Sequence, residues 1–213
     1  MTIRLSTNNS KLVKTSGEEY KVIGFGIPAD RTFGGGNTCP GASACRAVCF
    51  AKQGAYNFKN VKEARMANLD ASMGPGFVAD TVAALRRRRS YNVVRVHDSG
   101  DFYSQEYLDR WYAVARAMPD RTFYAYTKSM HLDLWGAKPD NFRLVQSLGG
   151  KHDKRVDLSK PHSRIFASHA AREAAGYVDG NVSDLPAIEG ETRIGLVYHG
   201  VRNLTPAQER YFG

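Results

Sequence analysis

Acidic residues are scarce in this chain, cysteine is confined to one short stretch, and no long apolar run occurs. The scarcity of acid leaves 30 Lys and Arg against 21 Asp and Glu over 213 residues, a net charge of +9. Such a balance favours polyanions, whether nucleic acid, phosphorylated metabolites or an acidic partner. No segment approaches the roughly 18 apolar residues that a bilayer span needs. Residues 1–14 are polar and lack the apolar stretch of a signal peptide. A soluble cytosolic protein with no membrane partner is the expectation. Neither an internal repeat nor a low-complexity linker divides the chain, so residues 1–213 read as a single α/β domain. The three cysteines are odd in number and lie within residues 39–49, which excludes a disulfide scaffold. In a reducing compartment such thiols remain free for metal or catalysis.

What the chain does contain is a recurring unit, a short β-rich run ending in polar residues or glycine and often followed by a helix. Strand candidates fall at residues 20–27, 91–96, 122–126, 142–145, 164–167 and 193–198. Helices are expected over 61–72, over 77–88 with Val78, Val82 and Leu85 on one face, over 105–118 and over 170–175. Ser104 is placed to cap the third of these, whose apolar face is Leu108, Trp111, Tyr112 and Ala115. Strands alternating with helices imply a largely parallel sheet, either doubly wound or an incomplete α/β barrel of six strands.

The cysteine segment, residues 37–52, follows the first expected strand. It has the spacing C-x5-C-x3-C, with Cys39 before a Pro40-Gly41 turn and Cys45 and Cys49 four apart. A helix there would put Cys45 and Cys49 on one face, with Cys39 folding back to complete a triangle. Thiolates are soft ligands suited to iron–sulfur clusters, zinc or copper(I). Structural zinc wants four protein ligands, whereas three cysteines cluster here and the first histidine is His97. A distant histidine would be needed to close a zinc site. A [4Fe–4S] cluster on Cys39, Cys45 and Cys49 leaves one iron open for substrate or cofactor and fits best. The remaining alternative, three buried thiols without metal, suits a Gly- and Pro-flanked loop poorly.

Polar groups gather after the ends of successive strands, the edge where parallel α/β folds build their sites. Asp98 and Asp101 follow the second strand and are candidates for acid–base work, cofactor binding or metal ligation; the competing reading is a turn followed by a helix cap. His97 precedes that turn and ranks below Asp98. Lys128 ends the third strand, where an ammonium suits a phosphate or carboxylate, and His169 and His199 end later ones as candidate proton carriers or cofactor contacts. Alternation of Phe123, Tyr124 and Tyr126 favours a core face over base stacking. The run Arg86-Arg87-Arg88-Arg89 is either a phosphate-binding patch or the solvated end of a helix.

Several of these segments resemble the phage gene-88 protein family. They are Asn9-Ser10-Lys11-Leu12, Thr38-Cys39-Pro40-Gly41-Ala42 with Cys45 and Cys49-Phe50-Ala51, and Val96-His97-Asp98-Ser99-Gly100-Asp101-Phe102. The match continues at residues 124–129 and 194–200 and spans nearly the whole chain, which implies a phage-encoded protein of the host cytoplasm. A looser likeness is architectural. Radical S-adenosylmethionine enzymes carry a three-cysteine loop after the first strand of a partial (β/α)6 barrel, though with the spacing C-x3-C-x2-C. Their Gly-Gly-Glu-like contact to the cofactor's amino group has its counterpart here in Ser99-Gly100-Asp101. That likeness implies S-adenosylmethionine as a cofactor, with Ser99 and Gly100 beside it. Asp98-Ser99-Gly100 also resembles the Asp-Ser-Gly of base-exchanging transglycosylases, which implies a zinc-containing nucleic-acid-modifying protein as an alternative. A non-catalytic, redox-sensing iron–sulfur module is a third reading.

Overall fold

A computed structural model describes residues 2–31, 36–46 and 49–198. The elements run α1 (Ser10–Thr15), β1 (Val22–Phe25), α2 (Lys59–Met73), α3 (Phe77–Arg86), β2 (Val93–Val96), α4 (Gln105–Arg116), β3 (Thr122–Thr127) and β4 (Phe142–Ser147). They continue with β5 (His162–Phe166), α5 (His169–Ala174), β6 (Val178–Asp179), α6 (Leu185–Glu189) and β7 (Arg193–Val197). All seven strands join one curled sheet in the order β1-β2-β3-β4-β5-β7-β6, and every neighbouring pair is parallel. The result is a mixed α/β half-barrel with β1 and β6 as its edges.

Local sequence explains most of these elements. β1 and β2 are four-residue runs buried along their whole length, as strands covered on both faces must be. In α4 the Ser104 hydroxyl accepts from the Tyr107 amide, and Leu108, Trp111, Tyr112 and Ala115 are buried along one stripe. Pro119 follows shortly and cannot continue the helix. The outer face of the sheet (Phe25, Val94, Val96, Phe123, Phe142) packs against Phe77 of α3 and Tyr107 and Trp111 of α4. Trp111 meets Phe25 and Phe77 edge-on, at ring separations of 4.9 and 5.4 Å. The inner face (Val22, Val93, Tyr124, Val145, Ile194) is covered by Leu12 of α1 and by Ala187 and Ile188 of α6.

The fold departs from a six-strand barrel in three ways. A seventh strand, β6, is present, and β7 inserts between β5 and β6. Among the described residues, the β3–β4 and β4–β5 connections carry no α-helix, only loops and one 3-10 turn at Asp153–Arg155. The helix expected around Cys45 and Cys49 is also replaced. Its described residues form 3-10 turns at Ala44–Arg46 and Phe50–Lys52, and Cys49 itself is extended (φ −66, ψ 113). The arginine run continues past the end of α3 and is exposed, with Arg86 in the last turn, where it complements the negative helix terminus. It lies at the edge of the sheet where β2 begins, opposite the edge that receives the cysteines.

Candidate functional site

From β1 the chain turns through residues 26–31 and returns with the cysteine loop laid over the C-terminal ends of β2, β3 and β4. Buried Thr38 anchors the return. Its hydroxyl sits between the carbonyls of Pro28 (2.5 Å) and Asp30 (3.0 Å), and its own carbonyl accepts from the Asp101 amide (2.9 Å). Pro40 and Gly41 then form the expected turn, closed by the Ala42 amide on the Cys39 carbonyl (3.1 Å). Gly41 is obligatory here, because a Cβ would stand 2.0 Å from the Lys128 carbonyl oxygen. The Lys151 amide donates to the Gly41 carbonyl (2.9 Å), and Ala42 bridges to Gly150.

Asp30 binds the cysteine segment along its length. Its backbone is left-handed (φ 54), and its amide donates to Cys39 Sγ at 3.3 Å. Its carboxylate approaches Arg46 Nε and Lys52 Nζ, each at 3.0 Å, one beside Cys45 and the other near Cys49. Three charged or polar contacts from one residue thus reach the neighbourhoods of all three thiols.

Burial pushes the Cys39 thiol up to about 12, with the Asp101 charge acting in the same direction. Cys49 is also raised, chiefly by burial and further by Cys45, and Cys49 in turn raises Cys39. These thiols therefore need a cation to hold them ionised. Around one zinc ion, thiolates at about 2.3 Å would stand only about 3.8 Å apart. Among the described residues no group of three His, Cys, Asp or Glu side chains converges to hold a single ion. N–H···S bonds such as that from Asp30 are among the features that tune a thiolate-bound cluster. The all-sulfur donor set fits such a cluster.

The other predicted residues separate into distinct roles. Asp98 (5% exposed) receives Arg65 at 2.6 Å, and the same guanidinium donates to the Ser99 hydroxyl at 2.5 Å. Asn9 and Tyr56 approach Asp98 Oδ2 at 3.4 and 3.5 Å, whereas Oδ1 is a buried acceptor without a hydrogen bond. Gly100 is left-handed (φ 80), and a Cβ there would strike Ile27 at 2.2 Å. Asp101 is raised by burial, partly offset by donors from Thr127 Oγ1 (2.6 Å) and the amides of Lys128 (2.8 Å) and Phe102 (2.7 Å). Its oxygens face the chain's own donors, so it braces the loop. Lys128 reaches the Ser147 hydroxyl (2.9 Å) and the Leu148 carbonyl; burial lowers its pKa, and the charge of Cys45 opposes that shift. His97 (φ 68) points into the core, with Nε2 2.8 Å from the Tyr107 hydroxyl and its pKa lowered to about 3 by burial. His169 opens α5 and pairs with Asp179 of β6 at 3.9 Å. His199 lies outside the described residues.

Two groups escaped sequence reasoning. Arg65, Tyr56 and Asn9 form the partners of Asp98; nothing local marks Arg65 among the polar residues of α2. On the inner face, buried Asp184 binds Arg95 (2.8 Å), Lys11 (3.0 Å) and the Tyr124 hydroxyl (2.9 Å), with Tyr126 at 3.5 Å. An arginine inside the Val-Val-Arg-Val strand was the available signal. Both tyrosines serve this network and are not free to stack bases.

Comparison with known proteins places the chain in context. It is 26% identical over 209 residues to the Gene 88 protein of Mycobacterium phage L5, covering 84% of each. It is 28% identical over 152 residues to the Gene 88 protein of Mycobacterium phage D29, covering 60% of this chain and 61% of that one. No solved structure matches, so the likeness to radical S-adenosylmethionine enzymes gains no structural neighbour. No helix among the described residues is long and apolar enough to cross a membrane. The family model described as Gene product 88 matches residues 3–209, and the chain belongs to that family.

Proposed function

We propose that this protein binds a [4Fe–4S] cluster through Cys39, Cys45 and Cys49, with S-adenosylmethionine as the candidate ligand of the remaining iron. One observation carries the reading: a loop holding three thiols follows β1 and is fastened to the C-terminal edge of a parallel half-barrel by Thr38, Gly41 and Ala42. When bound, such a cluster supplies an open coordination position and an electron. The chain's own residues supply the rest. Asp30 and Thr38 orient Cys39, and the Lys128 ammonium offsets thiolate charge at Cys45. Asp98 is fixed by Arg65, with its Oδ1 packed against Gly26 and its Oδ2 turned toward Arg65, Tyr56 and Asn9, so any ligand contact of this group comes through that cluster. Asp101 braces the loop on β3.

Anaerobic purification followed by absorption spectra and iron, sulfide and zinc analysis tests this directly. A brown protein with iron and sulfide in equal amounts is expected, with a spectral change on adding S-adenosylmethionine. A colourless protein with stoichiometric zinc overturns the proposal and favours the zinc alternative. Iron without any response to S-adenosylmethionine reduces it to a redox module.

A further inference from the structure

Between Cys49 and α2 the chain exposes two large aromatic side chains, Phe50 (59% exposed) and Phe58 (62% exposed). Folding ordinarily hides such rings, and these two, eight positions apart, stay exposed. They are not isolated from the site. Phe50 meets Tyr56 edge-on at 5.5 Å, the Arg65 guanidinium lies over the Tyr56 ring at 4.4 Å, and Tyr56 reaches Asp98 at 3.5 Å. A ladder of flat groups thus descends from the surface to the candidate carboxylate.

Charge surrounds this ladder on both sides. Residues 46–62 contain Arg46, Lys52, Lys59 and Lys62 and no acid, with Glu63 next in the chain and 3.9 Å from the Lys59 ammonium. Asp30 occupies Arg46 and Lys52, while Lys59 and Lys62 are exposed. Across the cysteine loop, Lys151, Lys154 and Arg155 are exposed, and the Lys151 amide is bound to Gly41 of the loop. The intervening acid, Asp153, is taken up by the amides of Gly149 and Gly150 at 2.8 and 2.7 Å.

We infer that this aromatic and basic rim binds a single-stranded nucleic acid, with bases stacked on Phe50 and Phe58 and phosphates on the lysines flanking the cysteine loop. Unpaired bases present the π-faces that exposed rings accept, and paired bases do not. The Arg86-Arg87-Arg88-Arg89 run lies at the opposite edge of the sheet and takes no part. That the strand delivers a nucleotide to Asp98 rests on the proposed site; the binding itself does not require metal.

Fluorescence anisotropy with a labelled single-stranded oligonucleotide of about 20 nucleotides and its duplex, on metal-free and iron-reconstituted protein, tests the inference. The single strand binds more tightly than the duplex. Phe50→Ala with Phe58→Ala weakens binding by about tenfold or more, and Phe50→Tyr with Phe58→Tyr restores it. Replacing Lys151, Lys154 and Arg155 by Ser flattens the log–log salt dependence by about two. Replacing all four of Arg86 to Arg89 by Ser changes affinity by less than about threefold. Equal binding of strand and duplex overturns the inference, as does loss through the arginine run with the phenylalanine pair silent, or equal competition by polyglutamate. Strand binding by a protein that takes up no iron upholds the rim and refutes only the cluster.

Discussion

The buried charge on the inner face sets a quantitative test of the packing. Asp184 is fully buried, and its carboxylate is held in the ionised form because Arg95 and Lys11 outweigh the cost of burial. Burial likewise opposes the charge of Arg95, and Asp184 overcomes it. Asp184→Ala removes the acceptor from Arg95, Lys11 and Tyr124 together. Leaving a buried guanidinium without its counter-ion costs about 3–5 kcal/mol. Against a total stability of about 5–15 kcal/mol, that is a large fraction. In a domain of this size it corresponds to a fall in Tm of roughly 6–20 °C. Chemical denaturation of Asp184→Ala, Arg95→Met and the double variant carrying both substitutions measures the coupling. The double variant is expected to recover part of the loss, since the Arg95 guanidinium is no longer orphaned, while Lys11 and the Tyr124 hydroxyl still lack their acceptor. A loss below about 0.5 kcal/mol in Asp184→Ala, or strict additivity, refutes this account of the inner face.

Other predictions concern single groups. His97 is buried neutral, its pKa lowered from 6.5 to about 3. The unfolded chain therefore binds a proton that the folded chain refuses, and stability drops as pH falls from about 6.5 toward 3, by roughly 4–5 kcal/mol over the whole window. His97→Phe should flatten that slope in denaturation curves taken between pH 7 and pH 4; an unchanged slope counts against the assignment. Asp30→Ala frees Arg46 and Lys52 beside Cys45 and Cys49, while the backbone amide that donates to Cys39 Sγ is kept. The expected result is faster thiol alkylation in metal-free protein and lower iron content after reconstitution, with thermal stability nearly unchanged. Gly41→Ala drives a Cβ into the Lys128 carbonyl, so it should cost about 1–3 kcal/mol and lift the cysteine loop, detectable as increased amide exchange at Ala42 and Lys151.

How far the chain announces its fold varies with the length and character of each element. β2 and β3 are readable because β-branched and aromatic residues are bounded by turn residues, and α4 because its cap and apolar stripe coincide. α1, α6 and β6 are too short to carry a period, spanning 6, 5 and 2 residues. They are held by tertiary contacts instead, such as Asp184 with Thr15 and Lys11. The insertion of β7 beside β5 depends on long-range pairing that no local pattern encodes. At the site, the cysteine loop and the Asp98 turn stand out through composition and glycine. Arg65 was invisible because a charged residue on an amphipathic helix is ordinary until its partner, 33 positions away, is known. Asp101 and Lys128 were found for their chemistry, and the fold spends their polar atoms on holding the loop in place.

The central claim is that three thiolates leave one iron distinct from its neighbours. Mössbauer spectra of protein reconstituted with iron-57, taken before and after adding S-adenosylmethionine, address it most directly. The account predicts a four-iron cluster in which a single iron site shifts on addition of the ligand, and no cluster when Cys39, Cys45 or Cys49 is replaced by Ser. Four irons that all stay unchanged, or a centre that survives the loss of any one of these cysteines, would contradict it.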